Sequence, residues 1–159
     1  MAERSVHTYF TYRTACGPLT LGAVTGMLTH VLPGEAILDG LRRPSAVTNA
    51  AATQIMEYLA GKRTVFTVPF QLGRATPFQQ RLWKSLDAIP YGQTRTAAEV
   101  ARALGDERSF RAVGSALRKN PLPFFVPAHR VVSARGTIDG TDAMAALYRT
   151  CLTVERRFA

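Results

Sequence analysis

Residues 76–94 read TPFQQRLWKSLDAIPYGQT, residues 110–121 read FRAVGSALRKNP, and residues 123–132 read PFFVPAHRVV. In the first stretch Thr76 is a helix cap, Pro77 takes the first helical position, where an N–H would have no partner, and Gln79 completes a capping box. Phe78, Leu82, Trp83, Leu86 and Ile89 then form a core-facing stripe, and Pro90-Tyr91-Gly92 ends the helix. Thr96 and Glu99 form a second capping box, and Val100, Ala101 and Leu104 carry its apolar stripe to a stop at Gly105. A third helix is expected over 109–119. Phe110, Val113 and Leu117 recur at spacings of three and four and face the core, while Arg111, Ser115 and Arg118 take the other side. Ala112, Gly114, Ser115 and Ala116 are small, which lets the backbone approach another surface closely. Two capped helices, a short turn and a small, basic outer face read as a helix-turn-helix; tight helix packing is the plainer alternative.

Working outward, Pro121, Pro123 and Pro127 forbid a regular helix and stiffen a loop that holds His129 in fixed geometry. SARGTIDG (133–140) suggests a small hairpin or wing. Residues 142–158 suggest a closing helix through Met144, Leu147, Tyr148, Cys151, Leu152 and Glu155. Towards the N-terminus a boundary falls at 71–75, giving expected domains 1–73 and 74–159. The first reads as strands, in HTYFTYRT (7–14) and PLTLGAVTGMLTHVL (18–32), with Gly17, Gly22 and Gly26 at turns. Ser45 to Leu59 is helical up to Gly61, and Thr64 to Phe70 is a further strand that Pro69 pushes towards an edge.

The chain has 159 residues, 47% hydrophobic and 19% charged, the balance of a folded globular protein. No apolar run approaches the roughly 18 residues of a membrane span. The start, MAERSVHTYF, lacks the apolar core of a secretory signal, so a soluble, cytoplasmic protein is expected. Cys16 and Cys151 make no disulfide framework and nothing has metal-ligand spacing, so neither metal nor cofactor is expected. The net charge of +9 is unevenly spread. Between Arg108 and Ile138 there is no Asp or Glu, while Arg108, Arg111, Arg118, Lys119, Arg130 and Arg135 all lie there. That run is either a solvated basic face or a phosphate-binding surface.

In order and spacing, the three quoted stretches closely resemble the C-terminal domain of alkylguanine-DNA alkyltransferases. The helix, the Asn-Pro pair and Pro-x-His-Arg-Val carry the resemblance across 76–132; the first seventy residues resemble the family's N-terminal domain more weakly, chiefly in GPLTLGAV. The implied fold is α+β, with a small ribonuclease H-like sheet domain followed by a winged helix-turn-helix. The implied partner is double-stranded DNA carrying guanine alkylated on its exocyclic oxygen, bound through the minor groove by a monomer, with the damaged nucleotide flipped into a pocket. Arg111 matches the finger that fills the stack, a role that suits a planar cation. Ala112, Gly114, Ser115, Arg118, Lys119, Thr96 and Arg95 are implied DNA contacts. Val126, Pro127, Ala128, Arg135 and Thr141 are implied pocket residues, and Asn120 matches a hinge that ties the turn before it.

In the family a cysteine precedes the histidine; the histidine, oriented by a glutamate, deprotonates it through water, and the thiolate takes the alkyl group. His129 and Glu155 match the two helpers, but Ala128 stands at the nucleophile's place and has no nucleophilic atom. Two further departures are Ala97, where the family commonly has a tyrosine, and 140–144, which read Gly-Thr-Asp-Ala-Met in place of a Gly-Tyr-x-Gly-Gly loop. The expectation is an alkyltransferase-like protein that binds the lesion without removing it and hands it to nucleotide-excision repair proteins. The alternatives are a suicide methyltransferase whose nucleophile has been replaced at Ala128, and a winged-helix transcription regulator that reads sequence rather than damage.

Overall fold

The structure, a computed structural model, describes residues 6–159, so the first half of the stretch read for a signal lies outside the described residues. Two compact units divide the chain, Met1–Gly73 and Arg74–Ala159. Among the described residues no helix is long and apolar enough to cross a membrane.

The first unit is a four-stranded sheet with one helix. Strands β1 (His7–Thr14), β2 (Gly17–Val24) and β3 (Met27–Pro33) form an antiparallel meander, and β4 (Leu41–Arg42) adds in parallel to β1, giving the order β3-β2-β1-β4. The β2–β3 hairpin turns on Thr25 and Gly26 alone, at φ 48° and 75°, the left-handed pair that a two-residue loop needs to match the strand twist. Leu19, Leu21, Leu28 and Val31 bury the sheet's inner face against Ala51, Ile55 and Tyr58 of α1 (Ala46–Leu59). Ser45 caps that helix in a box with Thr48. Two expectations fail here. Gly22 lies inside β2, not at a turn, where the register with β3 shifts; a Cβ there would meet Leu38 Cδ1 at 3.0 Å. Residues 64–70 form no strand. Pro69 has no N–H to give a ladder, and pairing with β3 stops at one bridge, where Leu28 N donates to Pro69 O and Gln71 N to Leu28 O.

The second unit is helical. Helix α2 (Pro77–Asp87) starts as read: Thr76 accepts from Gln79 N and Gln79 Oε1 accepts from Thr76 N, both at 3.1 Å. Such a cap is worth about 1 kcal/mol. Helices α3 (Ala97–Ala103) and α4 (Phe110–Arg118) are joined by a short 3-10 turn at Glu107–Ser109. Thr96 caps α3 through Glu99 N, but the reciprocal bond from the Glu99 side chain is absent among the described residues, so the second capping box is half formed. Leu82, Leu86, Val113, Leu122 and Cys151 are buried in the core. Phe110 is not: it is the first residue of α4 and is 46% exposed. Strands β5 (Arg95–Thr96) and β6 (Val131–Val132) pair in parallel, which fixes the loop after Ala128 to the start of α3. No strand forms over 133–140. Ser133 N donates to Thr137 O, closing a tight turn instead of a hairpin, because Gly136 turns the chain after only three residues. Helix α5 (Ala143–Phe158), capped by Asp142, completes the unit.

Candidate nucleic-acid interface and base cavity

The proline-rich loop is held from both ends. The side chain of Asn120 is buried; its Oδ1 accepts from Leu122 N at 2.9 Å, and its Nδ2 donates to Val126 O at 3.2 Å and to Tyr148 Oη at 3.3 Å. Tyr148 Oη in turn donates to Leu117 O, so α4, the loop and α5 share one network, and burial pushes the Tyr148 hydroxyl well above its ordinary pKa. Phe124 sits within this loop at φ 73°, a left-handed backbone that costs a side-chain-bearing residue roughly 1–2 kcal/mol. The loop ends in a 3-10 turn, Ala128–Arg130.

Behind that turn lies a buried polar hub. Glu155, 1% exposed, accepts from His129 Nε2, from Arg130 Nε at 2.9 Å and Nη2 at 3.2 Å, and from Gly92 N at 3.0 Å. Arg130 Nη1 also donates to Ile89 O at 2.7 Å. One carboxylate thus ties α5 to the end of α2 and to the Ala128 turn. Arg130 therefore does not belong to the basic face in which the sequence run placed it, since its charge is spent inside the fold. Gly92, at φ 80°, takes a left-handed backbone, and a Cβ there would overlap Ala159 Cβ, so a larger residue would have to displace Ala159.

Burial lowers the His129 pKa below its ordinary value; the Glu155 carboxylate opposes that shift and does not overcome it. The folded chain therefore keeps His129 neutral where the unfolded chain, with a pKa near 6.5, takes up a proton. The unfolded state binds more protons in that window, so stability rises with pH. The His129 contribution should be complete above about pH 6.5 and shrink as pH falls below it. Urea midpoints measured from pH 7.5 down to 5.5 should fall with pH. His30, which is shifted the same way by burial, is removed as a cause by His30→Gln; a slope that vanished in that variant would clear His129.

In front of the turn is a cavity of about 150 Å³. Ala128, Ala97, Val131, Met144, Ala145 and Tyr148 give it an apolar lining, and Asp139 and Asp142 add carboxylates. An apolar cavity of that size accommodates a benzene ring. It adjoins a broad groove lined by Thr96, Arg108, Phe110, Arg111, Gly114, Ser115 and Arg118. Ala97, Gly114, Arg118, Ser133 and Asp139 line both, so the cavity opens onto the groove.

The structure gathers some of the expected site residues and not others. Arg111, Gly114, Ser115, Arg118 and Thr96 meet in the groove; Ala112 on α4 and Lys119 just after it are exposed outside its lining, and Arg95 points its guanidinium to Thr94 O. Of the expected pocket residues, Ala128 lines the cavity. Val126 and Pro127 are buried behind it, while Arg135 and Thr141 are exposed and stand apart from its lining. His129 and Glu155 lie behind the wall. The sequence reading missed Asp139 and Asp142, because the acid-free run ends at Ile138 and both carboxylates lie within four residues beyond it. Asp142 caps α5 through Ala145 N, and Asp139 accepts from Thr137 Oγ1 at 3.0 Å.

A model of the family described as "6-O-methylguanine DNA methyltransferase, DNA binding domain" matches residues 77–157. A methylated-DNA--protein-cysteine methyltransferase of Mycobacterium tuberculosis is 38% identical over 153 residues, covering 93% of this chain and 92% of that protein. The constitutive protein of the same name from Bacillus subtilis is 44% identical over 90 residues, 57% of this chain; the match spans about half of that relative, 54%. Among solved structures, Mycobacterium tuberculosis OGT in complex with DNA matches with a TM-score of 0.84 at 37% identity, covering 96% of this chain and 94% of that one. The α+β architecture, a small sheet with several helices, is shared with it.

Proposed function

Because the chain belongs to the 6-O-methylguanine DNA methyltransferase family, a family of DNA-repair alkyltransferases, we propose that it binds duplex DNA and holds an alkylated guanine without taking the alkyl group. One observation carries this reading: the cavity in front of Ala128 opens directly onto the groove that holds Arg111 and Arg118. In this reading α3 and α4 act as the helix-turn-helix, with the closed turn at Ser133–Thr137 standing in for a wing, and the N-terminal unit is a ribonuclease H-like support. The small outer face of α4 approaches the minor groove, Arg111 fills the stack, and the flipped base enters the cavity. Ala97 lines the junction between groove and cavity, and its methyl group leaves the passage open. Ala128 ends in a methyl group, which can contact an alkyl substituent but cannot accept it. Val126, Pro127 and Asn120 shape the turn from behind, and Arg95, Ala112 and Lys119 reach phosphates beside the groove. The chain acts as a cytoplasmic monomer that leaves the lesion for excision repair proteins.

The decisive measurement is affinity for a duplex with one methylguanine against the same duplex with guanine, at fixed salt. Tighter binding to the lesion is expected; equal affinity, with a preference for particular sequences instead, would favour a transcription regulator. Arg111→Ala should weaken lesion binding by about 5- to 150-fold, the range that corresponds to roughly 1–3 kcal/mol of stacking. Binding to undamaged duplex should weaken much less, because a gap in the stack exists only when a base is out. Equal losses on both duplexes would remove Arg111 from that role.

A further inference from the structure

We propose that Phe110 is a second stacking residue, forming with Arg111 a two-part platform that sits against an unstacked base step; the inference rests on the DNA-binding reading above. An amphipathic helix normally turns such a ring inward, yet Phe110 is 46% exposed at the start of α4 and lines the same groove as Arg111, Gly114, Ser115 and Arg118. The Arg111 guanidinium lies 5.8 Å from the centre of the Phe110 ring, so the planar cation and the ring are neighbours. Cations stand nearby: Arg108, 94% exposed although it lies 3.5 Å from Asp106, and Arg118, two turns along the helix. The nearby acid Glu107 is engaged by Arg102 at 2.9 Å. An exposed aromatic in a groove with cations suits a polyanion that offers flat, apolar faces, and a nucleobase flanked by phosphates is that chemistry. An Arg alone fills a gap in the stack by hydrogen bonding and partial overlap. A ring beside it adds apolar contact with the neighbouring base and keeps the step open.

The test is the affinity of the full chain for the methylguanine duplex, with Phe110 replaced in turn by Ala, Leu and Trp, and with 2-aminopurine beside the lesion to report unstacking. Phe110→Ala should lose about 5- to 150-fold in affinity and most of the fluorescence rise. Phe110→Leu should lose nearly as much, and Phe110→Trp should keep both. The loss from Phe110→Ala should persist when Arg111 is already Ala. If that loss disappears in the Arg111→Ala background, Phe110 merely positions Arg111 and the proposal is overturned. Full affinity in Phe110→Leu also overturns it, since an aliphatic side chain cannot stack. If the unaltered chain prefers the lesion but Phe110→Ala binds as well, the stacking role alone is lost; if the unaltered chain binds no duplex, the DNA-binding reading falls with it. The position is exposed, so folding is expected to survive all three changes, and matching urea midpoints would confirm it.

Discussion

Ala128→Cys should convert the chain from a binder into an acceptor that takes one alkyl group and then stops. The substitution adds a single sulfur at the wall of the cavity, where Ala128 already faces the space. His129 is neutral at pH 7, because burial disfavours its charged form, and the Glu155 carboxylate beside it favours the imidazolium that would form when the thiol proton arrives. Its Nε2–H is committed to Glu155, which leaves Nδ1 as the basic nitrogen. The thiolate would attack the alkyl carbon, the carbon–oxygen bond would break with its electron pair going to guanine, and the base would regain its ring proton from solvent. Intact mass spectrometry after incubation with a methylguanine duplex should show one methylene unit gained per chain, and none with the unaltered chain. Lesion binding without transfer in Ala128→Cys would mean that His129 stands too far from the sulfur to activate it. Transfer by the unaltered chain would refute the inert role given to Ala128.

The second large effect is on stability. Glu155→Gln should destabilise the chain by about 3–5 kcal/mol, the usual cost of removing one partner from a buried ion pair. Gln is the same size as Glu, so the loss does not come from a cavity. It comes from an amide N–H₂ placed among donors: the Arg130 guanidinium, Gly92 N–H and His129 Nε2–H. Arg130, with a side chain only 13% exposed, has little water to turn to. Equilibrium unfolding in urea measures the change, and a loss below about 1 kcal/mol would place the hub in contact with solvent.

The helix starts were legible in the sequence because capping is local. Thr76 with Gln79, and Thr96 with the backbone of Glu99, lie three residues apart, and nothing distant decides whether they bond. Features that depend on tertiary context were read less well. Periodicity put Phe110 on the core face of α4, but a spacing rule carries no information on what covers the first residue of a helix, and this one is left exposed in the groove. Arg130 counted as surface charge because its partner, Glu155, is 25 positions away on another helix. Residues 64–70 had the composition of a strand without a partner edge long enough to pair with, and only folding reveals that. Asp139 and Asp142 were overlooked for a similar reason. A search for basic runs stops where the acids begin, while the cavity is built across that limit. The expected cavity residues came from the resemblance; Ala128 lies in the lining, while Arg135 and Thr141 lie outside it, Thr141 in the stretch that departs from the family's pattern.

The Glu155 hub has a consequence for how such a chain can change over generations. The groups that would prepare a nucleophile at position 128 are the same groups that join three segments of the fold, so folding and chemistry place demands on the same side chains. Ala128 can drift between a methyl and a thiol with little disturbance to its surroundings, whereas each partner of Glu155 is retained by the need to fold. Selection for folding alone would therefore maintain the His129–Glu155–Arg130 cluster, whatever residue stands at position 128.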